Sequence, residues 1–451
     1  MPAALLLTLL AATPGAPGGE ETPADWADFR GGGNSVTDAT DLPLEWSAGE
    51  GVAWELGLPG VGQSAAVVAG GRAYVTGVDG PNKETLLVSA VDPAAGTLLW
   101  AKRLKAGRTS PNDFMHSRAA PTPCADSRGV VVFFASGDLI ALTPGGEERW
   151  RRDLAAEFGP FENRHDLGTS PAQDGDKLYL QLDHGGPSAT LLAVDKGTGE
   201  TVWATPREPR TSFTSPVAAT LGGVPQVVCS SNGSVDGYDA ATGARLWTVG
   251  GLSGNTIPSP VASGDRVFVG AKPGRRGEGI AEAQASNCCI KVTPPAGDGD
   301  DGDGWTAGVV WRAPKTLSHY ASPLVHRGRA YYLNNVGVVT CVDAATGALL
   351  HRGRLGFECW ATPIGAGDRV YCFGRGGEAA VLEAADAFTV LAENNLTTLP
   401  PPPEKPGPAA GDGPRGRGGA GGYDGPFVYG ATPVPGGFLV RTESVLYRVG
   451  G

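Results

Sequence analysis

The sequence predicts an all-β protein, an eight-bladed β-propeller whose ring is closed by pairing of its N- and C-terminal strands. Two repeated patterns carry this prediction: a hairpin that ends in tryptophan, and a Ser-Pro or Thr-Pro dipeptide that opens each repeat with a period in the forties. The 451 residues include 70 Gly and 37 Pro, yet 41% are hydrophobic, which favours a folded, turn-rich chain over a disordered one.

The tryptophan hairpin has a constant spacing. In three copies an Asp stands four residues before a Gly and eight before a Trp, and a fourth copy reaches His351 where Trp is expected. The Asp side chain can accept backbone N–H bonds while Gly takes positive φ, so each copy predicts two strands joined by a tight turn. The copies begin at Asp92, Asp195, Asp239 and Asp343, and segments end at Trp100, Trp150, Trp203, Trp247 and Trp311.

The second pattern, called the opener here, is a Ser or Thr before Pro, followed by a turn and a β-rich run. With the hairpin it predicts about four strands per repeat. Proline is tolerated because the innermost strand of a blade has one unpaired edge. The openers are Thr122, Ser170, Ser215, Ser259, Ser322, Thr362 and Thr432, with Ser64-Ala65 as a degenerate first copy.

These patterns place the propeller over residues 26–450. Its last repeat contains only three strands, and Gly51–Leu58 has the composition of the missing outer strand, so we expect the two ends of the chain to pair. The predicted blades are 64–104, 117–154, 168–204, 213–252, 256–313, 319–355, 360–396 and 429–449. An acidic Gly-rich insertion at about 294–308 and a Pro/Gly-rich low-complexity loop at about 397–428 interrupt the repeat.

Residues 1–19 are typical of a signal peptide, because the apolar run Ala3–Ala12 is followed by small residues and prolines. We therefore expect a periplasmic or extracellular protein; an uncleaved arm on a cytoplasmic protein is the alternative. The apolar run is half a membrane span, and the first cysteine is Cys124, so neither a membrane span nor a lipid anchor is expected. The net charge of −11, without a basic patch, argues against nucleic acid as a partner.

The segment Ala193–Trp203 resembles the tryptophan-docking repeat of PQQ-like (pyrroloquinoline-quinone repeat) eight-bladed propellers, a superfamily that includes BamB-like proteins and quinoprotein alcohol dehydrogenases. The resemblance covers residues 26–450 and implies that each repeated Trp packs against the neighbouring blade. The stretch Asp25–Asn34 also resembles the leader of exported bacterial members. The resemblance implies a fold more directly than an activity.

The quinoprotein branch of this resemblance implies PQQ, a calcium ion, and a disulfide between adjacent cysteines beside the cofactor. Cys288 and Cys289 are the one adjacent pair among the seven cysteines, and Glu162 is a candidate acid for holding calcium. The alternative is that the pair occupies a strand or turn with a buried thiol.

Several polar residues lie just before predicted innermost strands, where they would line one mouth of the channel. They are candidates for binding a ligand, and the alternative is that they hydrogen-bond loop backbone. Asp183-His184, after a second strand, is expected at the outer rim instead. The mouth candidates are His116, Arg118, Glu162, Arg164, His165 and His319.

The function that we predict is an exported, non-catalytic binding or scaffolding module for a protein, peptide or glycan, monomeric and without a cofactor. The alternative is a PQQ- and calcium-dependent oxidoreductase acting on alcohols or sugars. No catalytic residue is assigned, since the sequence contains no G-x-S-x-G elbow, no phosphate-binding P-loop and no H-E-x-x-H motif.

Overall fold

The computed structural model describes residues 25–113, 116–161, 163, 165–295, 304–313, 315–396 and 428–451. The predicted signal peptide, and most of the two predicted insertions, lie outside the described residues. In the part that is described, the strands form eight sheets arranged as the blades of a propeller, which confirms the predicted fold class. No helix among these residues is long and apolar enough to cross a membrane.

The N-terminal region and the first three blades contain short innermost strands and longer middle and outer strands, in chain order. The N-terminal region contains α1 (Arg30–Gly33), β1 (Val36–Thr37) and β2 (Val52–Gly57). Blade one contains β3 (Val67–Ala69), β4 (Arg72–Asp79), β5 (Thr85–Asp92) and β6 (Thr97–Lys105). Blade two contains β7 (Cys124–Asp126), β8 (Gly129–Phe133), β9 (Asp138–Leu142) and β10 (Glu148–Asp153), followed by α2 (Leu154–Glu157). Blade three contains β11 (Ala172–Asp174), β12 (Lys177–Leu182), β13 (Thr190–Asp195) and β14 (Thr201–Pro206).

The remaining blades repeat this arrangement. Blade four contains β15 (Val217–Leu221), β16 (Val224–Ser231), β17 (Ser234–Asp239) and β18 (Arg245–Gly250). Blade five contains β19 (Val261–Ser263), β20 (Arg266–Val269), α3 (Ile280–Ser286), β21 (Cys288–Thr293) and β22 (Thr306–Arg312). Blade six contains β23 (Leu324–His326), β24 (Arg329–Leu333), β25 (Val338–Asp343) and β26 (Leu349–Arg354). Blade seven contains β27 (Ile364–Ala366), β28 (Arg369–Phe373), β29 (Glu378–Glu383) and β30 (Val390–Asn395), and blade eight β31 (Ala431–Val434), β32 (Gly437–Thr442) and β33 (Val445–Gly450).

The ring closes as predicted. Strand β2 is the outer strand of blade eight and pairs antiparallel with β33, with Trp54 opposite Arg448. The first and last parts of the propeller therefore share one sheet, and the array has no open end.

The repeated tryptophans join neighbouring blades. Trp150 follows a bulge in its outer strand, and its indole packs against the hairpin of blade three, where Nε1 donates to the Lys196 carbonyl at 3.1 Å. Gly199 of that hairpin has φ +79°, and a Cβ added there would lie 2.6 Å from Trp150 Cδ2. A glycine is required because it removes the steric conflict and permits positive φ.

Other blades repeat this joint with variations. Trp100, Trp203 and Trp311 donate in the same way to Pro144, Ala240 and Ala344. At the joint between blades eight and one, Arg448 Nη1 donates to the equivalent carbonyl, that of Pro93, at 2.8 Å. Trp247 instead bonds Gln226 Oε1 of its own blade at 2.7 Å.

Two joints lack the tryptophan. Between blades six and seven the position is His351, whose ring centroid lies 5.8 Å from that of Phe388. Between blades seven and eight it is Ala392, and the N-terminal segment fills the space with Trp46, which packs on Phe373 and Phe438.

A series of hydrogen bonds connects the openers of blades one to seven. In six successive steps the backbone N–H of one opener position donates to the hydroxyl of the next, over 2.9–3.3 Å. The steps run from Ala65 through Thr122, Ser170, Ser215, Ser259 and Ser322 to Thr362. Blade one therefore takes part through Ala65, one residue later than the Ser64 that the pattern indicates, because β3 begins two residues after Ala65, as the innermost strands of blades two to seven do after their openers.

The N-terminal residues 26–37, called the channel segment here, lie inside the ring of innermost strands. The carbonyls of Trp26, Ala27 and Ser35 accept the backbone N–H groups of Val68, Ala125 and Gly365, at 2.9, 2.7 and 2.9 Å. Strand β1 adds to β27 in parallel. The segment thus crosses the channel and contacts the innermost strands of blades on opposite sides of the ring.

Candidate binding site at the channel mouth

The loops that lead into the innermost strands all lie at one end of the channel, which forms the mouth. Two or three residues before the opener position, five blades place a large polar or aromatic side chain there. These residues are Gln63, Phe213, Tyr320, Trp360 and Tyr429. Because hydrogen bonds link the openers of successive blades, side chains at this shared position come from neighbouring blades onto one surface.

A continuous chain of contacts, called the mouth arc here, joins five residues: Tyr320, Trp360, Tyr429, Gln63 and Arg118. The ring centroids of Tyr320 and Trp360 are 4.8 Å apart, and those of Trp360 and Tyr429 are 5.9 Å apart. Gln63 then donates from Nε2 to the Tyr429 hydroxyl at 3.0 Å and accepts the Arg118 backbone N–H at 2.9 Å. Tyr320 is 40% exposed, and the other four are half-buried.

Charged groups flank the mouth arc on both sides. The Arg375 guanidinium carbon lies 5.3 Å from the centre of the Trp360 ring, and Arg375 also pairs with Glu358 at 2.6 Å. At the other end, Arg118 Nη1 pairs with Glu443 at 3.0 Å. The site therefore offers aromatic faces together with hydrogen-bonding groups of both signs.

Three of the predicted mouth residues come together at the Arg118 end of the mouth arc. His116 Nδ1 lies 2.8 Å from Asp113 Oδ1, and Arg118 Nε donates to the Asp113 carbonyl at 3.1 Å. The carbonyl of His165 accepts the Ser117 N–H at 3.2 Å, which joins the loops before blades two and three.

A buried lysine holds these loops in place. Lys83 Nζ pairs with Asp166 Oδ2 at 2.7 Å and donates to the Ser117 carbonyl at 2.9 Å. Lys83, Ala119 and Asp166 have φ of 53°, 50° and 60°, a left-handed conformation that residues with a Cβ rarely adopt. The surrounding contacts must maintain this conformation, so this side of the mouth is preformed.

His319 lies in a different sector of the mouth, beside Tyr320. Burial lowers the pKa of His319, and the charge of Lys272 lowers it further. The structure therefore groups His116, Arg118 and His165 and separates His319 from them, while Glu162 and Arg164 lie outside the described residues.

The expectation that Asp183-His184 lies on the exposed rim is wrong. Asp183 is fully buried and pairs with Arg207 at 2.8 Å, and Arg207 Nη1 donates to the Tyr238 hydroxyl at 2.6 Å. A buried cation satisfies the buried carboxylate, which is a structural role.

Cys288 and Cys289 occupy strand β21, in the middle of blade five. Successive residues of a strand face opposite sides, so Cys288 packs with Val267 while Cys289 packs with Phe268 and Trp311. Burial raises the pKa of these thiols to about 12 and about 11. Two thiols directed to opposite blade faces do not fit a cofactor-contacting disulfide.

Calcium is the metal ion that the quinoprotein resemblance implies. Within the described residues, no point gathers three or more His, Cys, Asp or Glu side chains that could hold a metal ion. Glu162, the candidate acid for holding calcium, lies outside the described residues, and within them the thiols of Cys288 and Cys289 do not fit the disulfide that the quinoprotein resemblance implies.

The sequence reasoning missed the aromatic members of the mouth arc. Their signal was present, because Tyr320 and Trp360 both stand two residues before an opener, as Phe213 does. Alignment of the repeats on the opener, rather than a search for titratable residues, would have identified them.

Two solved structures with TM-scores above 0.5 have the same fold as this chain. Among solved structures, BamB from Moraxella catarrhalis matches with a TM-score of 0.58 at 15% identity, covering 89% of this chain and 99% of that one. The computationally designed Ika8 protein matches with a TM-score of 0.52 at 14% identity, covering 87% of this chain and 98% of that one. A europium-containing methanol dehydrogenase matches at only 0.43 and 12% identity, over 80% and 90% of the two chains.

No curated protein matches the chain by sequence. The family model described as outer membrane protein assembly factor BamB matches residues 35–218 and 300–390, which is more than half of the chain. With the eight blades and the docked tryptophans, this match shows that the chain belongs to the BamB-like PQQ-repeat propeller family.

Proposed function

We propose that this protein is a non-catalytic binding module that holds an extended segment of a partner polypeptide at the mouth arc. The observation that carries the proposal is the continuous contact chain from Tyr320 through Trp360 and Tyr429 to Gln63 and Arg118. Aromatic rings supply large contact areas at low entropic cost, and the adjoining polar groups can satisfy peptide backbone and side chains.

A polypeptide is favoured over a glycan because the arc combines ring faces with ionic groups of both signs. Arg375 lies over Trp360, and the Arg118–Glu443 pair borders Gln63. Such mixed charge suits a chain with alternating backbone donors and acceptors. The family's description as an assembly factor for outer membrane proteins is consistent with a protein ligand.

The experiment is a selection of phage-displayed random dodecapeptides on the purified protein, followed by affinity measurement of the enriched peptides. We expect micromolar dissociation constants that Trp360→Ala weakens by about tenfold or more, since loss of an aromatic anchor typically exceeds 1 kcal/mol. The matched control is Trp305→Ala, which removes a half-buried tryptophan from blade five, away from the mouth.

Two outcomes would count against the proposal. Peptides that bind Trp360→Ala and wild type equally would move the site away from the arc. Binding of maltoheptaose or chito-oligosaccharides in place of any peptide would make the ligand a glycan. A titration with PQQ in millimolar calcium, with a dye-linked oxidation assay, tests the non-catalytic part, because turnover would contradict it.

We also propose that the protein acts outside the cytoplasm, which the apolar run Ala3–Ala12 supports. Fusion of residues 1–30 to alkaline phosphatase, an enzyme that is active only after export, tests this. We expect phosphatase activity, and Leu6→Arg should abolish it by interrupting the apolar run. An inactive wild-type fusion would favour a cytoplasmic protein.

A further inference from the structure

Arg30 is a buried cation in the middle of the channel segment. It is 5% exposed, and its backbone has φ 63°, a conformation that an arginine rarely adopts. Its Nη2 donates to the Pro260 carbonyl of blade five at 2.8 Å. The contacts of the channel segment with several blades hold the side chain in this position.

Most of the guanidinium is without a partner. Nε and Nη1 are buried, and no acceptor from the described residues reaches either atom. A guanidinium carries five N–H donors, and burial without acceptors is unfavourable for a charged group. The orphaned atoms therefore indicate that another group completes the site.

The neighbouring acid does not fill this role. Asp28 Oδ1 accepts the backbone N–H of Gly32 within the same loop, and burial raises the pKa of Asp28 to about 6. Burial lowers the pKa of Arg30 to about 9, so the guanidinium remains a cation at neutral pH. The channel thus contains a cation whose Nε and Nη1 donate neither to Asp28 nor to any other described acceptor.

Arg30 lies close to the mouth end of the channel. Pro260 directly follows the opener Ser259, whose N–H bonds Ser322, and Tyr320 of the mouth arc stands two residues before Ser322. The guanidinium therefore reaches the level of the openers, just below the mouth. The channel segment forms the floor beneath it.

We propose that Arg30 binds a carboxylate that enters the channel from the mouth. A planar guanidinium matches a planar carboxylate in shape and hydrogen-bond geometry, and the Phe29 ring 5.0 Å from the Arg30 guanidinium carbon covers one of its faces. The carboxylate comes either from a small free acid or, if the proposed function holds, from the C-terminus of the bound polypeptide.

The first test measures the thermal midpoint while acetate replaces chloride at constant ionic strength. We expect a rise of about 1–2 °C at an acetate concentration ten times its dissociation constant, and no rise in Arg30→Gln. Arg276→Gln, at an exposed loop arginine, is the control and should behave as wild type. Arg30→Lys retains a cation and should keep part of the rise, which covers the case in which Arg30→Gln does not fold.

A flat response in the wild type would mean that water alone satisfies Arg30, and a rise that persists in Arg30→Gln would place the acetate elsewhere. Either result overturns the proposal.

The second test compares a selected peptide with a free C-terminal carboxylate and the same peptide as an amide. If the polypeptide supplies the carboxylate, the amide binds wild type about tenfold more weakly, and Arg30→Gln binds both forms equally. Equal binding of the two forms, with both weakened by Trp360→Ala, would exclude the peptide as the source and leave the mouth function intact. An Arg30-dependent acetate response without any peptide binding would support the carboxylate site and contradict the proposed function.

Discussion

The joint between blades two and three and the joint between blades six and seven both pack an aromatic ring against a glycine. The earlier blade of the pair supplies the ring in the first joint and the glycine in the second, which is called the reversed joint here. In the first, Trp150 of the outer strand of blade two packs on Gly199 in the hairpin of blade three. In the second, the aromatic side chain is Phe388 of the blade seven hairpin, and the glycine is Gly353 in the outer strand of blade six, where an added Cβ would lie 2.3 Å from the Phe388 ring.

The comparison shows what a blade joint requires. In these two joints a ring lies against a backbone that has no Cβ, and either blade can provide the ring. His351 stands at the tryptophan position of the reversed joint and contacts Phe388 rather than replacing it. Substitutions at the two joints test whether the two arrangements are equivalent.

Removal of the ring should have the largest effect. Trp150→Ala and Phe388→Ala should each lower the free energy of unfolding by about 3 kcal/mol, because each leaves a cavity between two blades. Urea unfolding followed by circular dichroism measures the loss. Trp360→Ala, which removes a mouth tryptophan outside any joint, is the control and should lose about 1 kcal/mol. A loss for only one of the two joint variants would show that the reversed joint is not an equivalent one.

Addition of a methyl group on the glycine side should have the next largest effect. Gly199→Ala should lose about 2–3 kcal/mol, since it combines a steric conflict with Trp150 and a left-handed backbone. Gly223→Ala is a matched control with a similar φ of +82° but open space around the new methyl group, and should lose only about 1 kcal/mol. Equal losses at the two positions would mean that the indole moves aside and that only the backbone conformation matters.

The smallest effect is the part of the pH dependence of stability that comes from the reversed joint. Burial lowers the pKa of His351, and likewise that of His326, whose Nε2 lies 2.9 Å from the Gly367 carbonyl of blade seven. The folded state then binds fewer protons than the unfolded state, so stability is complete above the ordinary histidine pKa of about 6.5 and falls as the pH drops below it.

Urea unfolding at about pH 7.5 and about pH 5 measures this dependence. Carboxylates also titrate between these values, so the informative quantity is the difference between wild type and His351→Phe, which should lose less stability on acidification. An identical loss in both proteins would show that His351 does not contribute.

The blades could be predicted from the sequence because their signals are local. The Asp turns form as expected, with Asp239 Oδ1 accepting the N–H groups of Ala241 and Thr242 at 2.9 and 2.7 Å. Pairing of β2 with β33 could also be predicted, since the last repeat contained only three strands and the strand near Trp54 belonged to no other repeat.

The path of the channel segment could not be predicted, because its contacts join residues far apart in the chain, such as Arg30 with Pro260. For the same reason the sequence could not show that Trp46 fills the joint of Ala392, or that Asp183 meets Arg207. The predicted mouth residues are all titratable, and a prediction based on titratable groups does not include the aromatic residues of the mouth arc other than by chance.

The channel segment and β2 have a consequence for biosynthesis. They are made early, yet their partners include Gly365 and β33 near the other end of the chain. While the ribosome is still producing the later blades, the surfaces on which Trp26 and Trp46 pack are incomplete. Both side chains therefore remain undocked in the growing chain. The N-terminal segment should therefore dock last, in a slow step that pairs residues far apart in the chain. The incomplete ring that exists before this step should be the species most prone to aggregation and to chaperone binding.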